Sequence, residues 1–168
     1  MNVRQKIIMK SKCLTEIQKQ KTTIKTHTTV MNERQKIKSS SVIIYDSDLR
    51  VLLSKRSASK SMDPGLWETI GGTIEEGESS LAAITREVSE ELGNDIILKN
   101  TEFFNQYRYE TKSVKLISDV FIAQIEGHLS PSTEEIEEVK WFEKEEALEL
   151  DFCLNCKQRL EDFYRAYA

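Results

Sequence analysis

The residues with the clearest chemical potential are the carboxylates and the arginine of one short run, Arg86-Glu87-Val88-Ser89-Glu90-Glu91. At about 100° per residue, a helix places Glu87, Glu90 and Glu91 together on one face. Like charges this close raise one another's pKa values unless a cation neutralises them. Carboxylate oxygens bind hard ions, so Mg²⁺, or alternatively Mn²⁺, is the natural occupant. The spacing predicts a divalent metal site.

The alternative is a solvated helix face, which is what most Glu-rich helices present. The glycines before the run favour the metal site. Gly71-Gly72 and Gly77-Glu78 permit a tight loop whose backbone groups approach a bound phosphate and ion. Arg86 is four residues before Glu90 and can also reach Glu78, which suits it to orienting carboxylates.

A helix must carry these carboxylates. Ser79 can cap it, and Gly93 ends it after Leu92. One face should pack against the rest of the domain, because apolar residues recur at spacings of three and four, namely Leu81, Ile84, Val88 and Leu92.

Strand signals surround this helix. Residues 42–45 and 50–54 are apolar runs separated by turn residues, and residues 66–70 lead into Gly71-Gly72. Later β-rich runs cover residues 95–98, 103–109, 114–125 and 139–142, whereas residues 143–149 and 151–167 have helical patterns. We therefore expect an α/β domain over residues 39–168.

Composition bounds the rest. Residues 1–38 hold ten Lys and Arg against two Glu, a net charge of +8, so residues 39–168 sum to −12 of the overall −4. We interpret residues 1–38 as a basic, flexible or weakly helical extension, with Met31 an alternative start. Such a charge run is more often solvated than bound to nucleic acid.

Neither a membrane span of about 18 apolar residues nor a secretory signal is apparent. We expect a cytoplasmic protein, and a homodimer remains open. Cys153-Leu154-Asn155-Cys156 has the spacing of a redox motif, but two cysteines packed on a helix are the favoured interpretation.

The pattern Gly72-x5-Glu78-x7-Arg86-Glu87-Val88-x-Glu90-Glu91-x-Gly93 resembles the signature of Nudix (MutT-like) hydrolases at every fixed glycine and charged position. One departure is Asn94, where the family usually has an aliphatic residue. We expect Ile96 or Ile97 to supply that packing. The resemblance covers residues 41–150 and implies an α/β/α sandwich with a mixed central sheet.

The resemblance also implies a function, the hydrolysis of a phosphoanhydride bond in a nucleoside diphosphate linked to another moiety. Glu87 and Glu91 would be the principal metal ligands, with Glu90 on a second ion or acting through water. A carbonyl at Gly71 would complete the metal shell, and Arg86 would orient the carboxylates. The implied partner is a small-molecule diphosphate.

The general base and the substrate contacts are less defined. Some family members use a glutamate of the signature, and others use an acidic loop residue, for which Glu135 is the candidate. Arg56, Tyr107 and Arg108 are the candidate substrate-binding residues, although aromatic residues that alternate along a strand more often pack.

Two alternatives to hydrolysis stay open. Residues 52–57 and 64–67 are similar to a segment of isopentenyl-diphosphate isomerases, but the cysteine that those enzymes need just after the tryptophan strand is missing. The other alternative is a binding module that keeps the fold without catalysis, although no signature glutamate or arginine has been lost.

Overall fold

A mixed β-sheet forms the centre of the protein. The structure, a computed structural model, describes residues 35–110, 114–153 and 156–168. Its strands are β1 (Gln35–Tyr45), β2 (Val51–Arg56), β3 (Trp67–Glu68), β4 (Ile70–Thr73), β5 (Ile97–Glu110), β6 (Val114–Glu126) and β7 (Ile136–Phe142). The helices within these ranges are α1 (Ser80–Leu92), α2 (Lys144–Leu148) and α3 (Cys156–Tyr167).

The sheet forks along β1. One edge of β1 pairs in parallel with β6. The other edge pairs first with β4, between Ser39 and Val42, and then with β2, at Ile44 and Tyr45. Because β1 changes partner in mid-strand, β4 and β2 diverge from each other. The strand order is β3-β2-β1-β6-β5, with β4 attached to β1 and β7 attached to β2.

Two apolar cores lie on opposite faces of this sheet. Alternation along β1 sends Val42 and Ile44 to the α1 face and Ile43 to the face covered by α2 and α3. All three side chains are fully buried. The predicted α/β/α sandwich with a mixed sheet is confirmed.

Helix α1 begins and ends where the sequence predicts. The Ser79 hydroxyl accepts a hydrogen bond from the backbone N–H of Ala82 at 3.1 Å, and Gly93 follows the last helical residue. The predicted apolar stripe is wrong at Leu81, which is 50% exposed. Periodicity fixes the angle of a side chain around the helix, but it does not guarantee a neighbour beside the first turn. Ile96 is buried after the helix, as expected at the Asn94 departure.

Two boundaries differ from the sequence analysis. Strand β1 starts at Gln35, within the range assigned to the extension, because residues 35–38 pair with β6; residues 1–34 lie outside the described part. Strand β5 is continuous where two separate runs were predicted, since irregular pairing accommodates the polar residues between Lys99 and Asn105. No helix in the described ranges is long and apolar enough to cross a membrane.

Candidate active site

Arg86, in the middle of α1, is the centre of a hydrogen-bond cluster. Its Nε donates to Glu78 Oε1 at 3.1 Å, and its Nη2 donates to Glu78 Oε2 at 3.0 Å and to the Thr73 carbonyl at 3.1 Å. The hydrogen bond from Arg86 lowers the pKa of Glu78. This paired contact closes the loop between β4 and α1 onto the helix.

The same guanidinium also holds two carboxylates of the helix. Its Nη1 donates to Glu87 Oε1 at 2.8 Å and to Glu90 Oε2 at 3.1 Å. Burial raises the pKa of Glu87 although Arg86 lowers it. Of the two carboxylates that Arg86 Nη1 binds, Glu90 is the exposed one. A Cβ atom added to Gly72 would lie 2.2 Å from Glu87 Oε1, so Glu87 lies directly against the glycine backbone.

Glu91 is the buried carboxylate of this cluster, at 7% exposure. Burial raises its pKa well above the ordinary value, and the negative charges of Glu68, Glu87 and Glu135 raise it further. The backbone of Gly71 acts in the opposite direction and lowers it. The first half of β4 and the last turn of α1 therefore meet at Glu91.

Glu135 approaches this cluster from the segment before β7. The backbone N–H of Ser132 donates to the Glu91 carbonyl at 3.0 Å, which ties that segment to the end of α1. Glu135 contributes to the raised pKa values of both Glu87 and Glu91. Its carboxylate also lies 2.9 Å from Lys60 Nζ. The structure thus brings the acidic loop candidate near the helix carboxylates.

Glu68 is a site residue that the sequence analysis missed. It accepts two hydrogen bonds from Arg56 Nη1, at 2.7 and 2.8 Å, and one from the Cys153 thiol at 3.4 Å. Burial raises its pKa despite the charge of Arg56. The sequence does single out Glu68 in one respect: it is the one charged residue between Leu66 and Ile74. That isolation could have indicated a functional role.

A cavity of about 560 Å³ opens beside these groups. Arg56, Glu68, Gly71 and Gly72 line one part of it, and Tyr109, Leu116, Ser118, Cys153, Cys156 and Arg159 line another. Tyr107 and Arg108 are not among its lining residues. The Tyr107 hydroxyl donates to Asp162 on α3 at 2.8 Å, and Arg108 is exposed beside Gln106. Substrate contact by these two residues stays a prediction.

The oxygen atoms that α1 offers as metal ligands suit a divalent cation. Glu87, Glu90 and Glu91 offer only oxygen atoms, and two of them have pKa values raised by burial and by like charges, which a cation would relieve. Among the described residues no three acidic, histidine or cysteine side chains already converge as metal ligands. Glu87 and Glu90 instead accept from Arg86, with which an ion would compete.

Comparison with known proteins decides the family. The family model of the NUDIX domain matches residues 36–163, most of the chain. The chain belongs to the Nudix family. An uncharacterised Nudix hydrolase of Yersinia pestis is 29% identical over 117 residues, which cover 68% of this chain and 62% of that protein. An NAD-capped RNA hydrolase of Pseudomonas aeruginosa is 25% identical over 136 residues, 81% of this chain and 47% of that protein.

Solved structures agree with this assignment. The MutT protein of Methanosarcina mazei Go1 is 26% identical and superposes with a TM-score of 0.68, covering 80% of this chain and 96% of that one. A MutT Nudix hydrolase of Burkholderia pseudomallei is 23% identical, with a TM-score of 0.67 and coverage of 76% and 98%. Because its sequence identity is only 23%, the Burkholderia pseudomallei structure shows a shared fold and nothing about activity.

Proposed function

We propose that this Nudix protein is a Mg²⁺-dependent pyrophosphohydrolase that cleaves the phosphoanhydride bond of a nucleoside diphosphate linked to another moiety. Nucleoside triphosphates and nucleotide sugars belong to this class. The observation that carries the proposal is the convergence of Glu87 and Glu91 on Gly71-Gly72 at the wall of the cavity. Carboxylates at this position can bind a cation, and the same cation can bind a diphosphate in the cavity.

The residues of the site have separate tasks in this proposal. Glu87, Glu90, Glu91 and the carbonyl of Gly71 would hold Mg²⁺ or Mn²⁺. When bound, such an ion neutralises diphosphate charge and lowers the pKa of water. Arg86 fixes the orientation of the carboxylates through its contacts with Glu78 and Glu87.

Glu135 is the proposed general base, and a glutamate of α1 is the alternative. Glu135 is half exposed, with a side-chain exposure of 52%, so it can exchange protons with solvent. Its electrostatic effect on Glu87 and Glu91 supports a position within reach of the same substrate. Arg56 lines the cavity, but its Nη1 already binds Glu68. We therefore propose that Arg56 acts on substrate chiefly by holding Glu68.

A panel assay tests the reaction class. The protein is incubated in Mg²⁺ with nucleoside triphosphates, nucleotide sugars, dinucleoside polyphosphates, ADP-ribose and NAD⁺, and release of phosphate, pyrophosphate or nucleoside monophosphate is measured. We include NAD⁺ because one relative is named as an NAD-capped RNA hydrolase. Hydrolysis of at least one compound, abolished by EDTA, is expected. Absence of turnover across the panel would favour the binding-module alternative.

Two isosteric substitutions test the metal-site assignment. Glu87→Gln and Glu91→Gln are each expected to lower turnover by about two orders of magnitude or more, with unchanged circular dichroism. Glu102→Gln is the matched control, because Glu102 is exposed on β5 away from α1. Full activity in both α1 variants would contradict the assignment.

One observation in the structure favours a second candidate function, that of an isopentenyl-diphosphate isomerase. The sequence disfavours an isopentenyl-diphosphate isomerase, because no cysteine follows the tryptophan strand. The fold nevertheless brings the Cys153 thiol to 3.4 Å from Glu68 at the cavity wall, and a thiol beside a carboxylate is suited to proton transfer. Incubation with isopentenyl diphosphate tests this function, since an isomerase would form the allylic isomer.

A further inference from the structure

Arg159 is a buried cation with few partners. It lies on α3 in the wall of the cavity and is 6% exposed. Its Nη1 donates to Ser41 Oγ at 2.8 Å, whereas its Nε is buried without a hydrogen-bond partner. Across residues 35–110, 114–153 and 156–168, no carboxylate lies within 4.0 Å of it.

This arrangement is unfavourable for the protein alone. A guanidinium remains protonated, and burying it without a carboxylate partner is unfavourable. The pKa of the Cys156 thiol on the same helix is lowered, first by a hydrogen bond with Cys153 and then by the charge of Arg159. The other two cavity and site arginines are neutralised, since Arg56 binds Glu68 and Arg86 binds Glu78. The ring of Tyr107, 5.7 Å from Arg159, and the neutral Ser41 hydroxyl offset only part of that cost.

Arg159 faces the cavity from the side opposite α1. Ser41 shares its sheet face with Ile43, which belongs to the core under α3, whereas Val42 belongs to the core under α1. The α1 carboxylates do not line the cavity themselves, but Glu87 packs against Gly72, which does. A ligand in the cavity can therefore contact Arg159 with one part and approach the α1 site at Gly71-Gly72 with another. The cavity reaches both Gly72 and Arg159.

The surroundings define the ligand further. Ser118 also lines the cavity, and its hydroxyl is buried without a hydrogen-bond partner. Ile37, Leu116 and Tyr109 supply apolar wall between the polar groups. An oxyanion carried on an organic group would therefore satisfy the buried donors while the organic group covers the apolar surface.

We propose that Arg159, together with Ser41, binds an oxyanion of the substrate that is distinct from the diphosphate. This proposal rests on the proposed function and narrows it to diphosphates that carry a second phosphate or a carboxylate on their organic part. A planar guanidinium presents paired donors that match either oxyanion.

The test compares ligands that differ in one charged group. NADP⁺ and NAD⁺ differ by one phosphate, and UDP-glucuronate and UDP-glucose differ by one carboxylate. Affinity is measured by calorimetry with Ca²⁺ in place of Mg²⁺ and with product release monitored, so that the diphosphate charge is neutralised and binding is read without hydrolysis. The wild-type protein is expected to bind the charged member of at least one pair roughly tenfold or more tightly, and the pair concerned identifies the oxyanion.

Variants assign that preference to Arg159. Arg159→Gln should bring the two affinities within about twofold, while Arg165→Gln, a change of an exposed arginine on the same helix, should keep the preference. Arg159→Lys retains the charge without the paired donors and should reduce the preference to an intermediate value, which also covers the case in which the glutamine variant does not fold.

Several outcomes would overturn the proposal. One is a wild-type protein that distinguishes neither pair. Another is an Arg159→Gln protein that keeps the preference, as expected if the Cys156 thiolate provides the countercharge of Arg159 internally. A third is a glutamine variant that weakens both members of a pair equally, because Arg159 would then bind the shared diphosphate. Failure of hydrolysis alone would refute the proposed function and leave these binding results unaffected.

Discussion

Gly71 and Gly72 are adjacent residues with different reasons to lack a side chain. A Cβ atom at Gly71 would lie 2.3 Å from the backbone oxygen of Ser40, and the residue has a φ of +156°. A Cβ atom at Gly72 would instead meet the Glu87 carboxylate, the far end of a flexible side chain. A side chain at Gly71 would therefore disturb the pairing of β4 with β1. A side chain at Gly72 would disturb the position of the Glu87 carboxylate in the site.

This difference separates stability from activity in two alanine variants. Gly72→Ala is expected to displace the Glu87 carboxylate and to lower kcat by about a hundredfold, because small misplacements of catalytic groups are costly. Its melting temperature should stay within a few degrees of the wild type. Gly71→Ala should instead unfold at a clearly lower temperature, since two backbone segments cannot both keep their positions.

Gly65→Ala is the control for these changes. Gly65 has a φ of +75° with no atom within 4 Å of an added Cβ, so that variant should lose about 1 kcal/mol of stability from backbone strain alone. Normal kcat in the Gly72→Ala protein would show that the position of Glu87 is unimportant for turnover.

Between elements, the contact of Tyr107 with Asp162 joins β5 to α3. Burial, and then the hydrogen bond to Asp162, raises the pKa of Tyr107 from 10.0 to about 12. The unfolded chain therefore releases this proton at a lower pH than the folded protein does. The associated stability is fully present below pH 10 and is lost as the pH rises through about 12.

Replacing this tyrosine tests that contribution. Tyr107→Phe is expected to lower the free energy of unfolding by about 1 kcal/mol at neutral pH and to reduce its decline in alkaline solution. Urea titrations of both proteins across the alkaline range provide the measurement. Tyr164, whose pKa is also raised to about 12, is common to both proteins, so their difference isolates Tyr107. Parallel declines would contradict the assigned contact.

The elements also show what sequence patterns can and cannot specify. Helix α1 was predictable at both ends, because Ser79 and Gly93 are local signals and three of its four stripe residues pack as expected. Contacts formed between distant elements carry no local signal. Glu68 meets Cys153, 85 residues later, only because β3 pairs with the segment that precedes α3. Likewise, nothing in the local sequence around Arg159 distinguishes it from other polar residues of a helix.

For the whole molecule, acidic charge is the main electrostatic property of the domain. Residues 39–168 sum to −12, and burial, followed by the charges of Glu68, Glu87 and Glu135, raises the pKa of Glu91. A cation bound at α1 would reduce this repulsion in the folded state only, because the unfolded chain does not hold the carboxylates together. Ion binding and folding should therefore be coupled.

This coupling predicts a melting temperature that depends on Mg²⁺. A ligand that binds only the folded protein stabilises it by about 2.7 kcal/mol at a hundred times its Kd, so the unfolding temperature should rise progressively with Mg²⁺ at constant ionic strength. Glu91→Gln should be at least as stable as the wild type in EDTA, since a neutral amide removes the buried like charge, yet it should lose most of the Mg²⁺-dependent rise. Glu102→Gln should keep that rise. An equal Mg²⁺ response in the Glu91→Gln protein would mean that the stabilising ion binds elsewhere, whereas retained binding with no hydrolysis would leave the metal site standing and reject the proposed reaction.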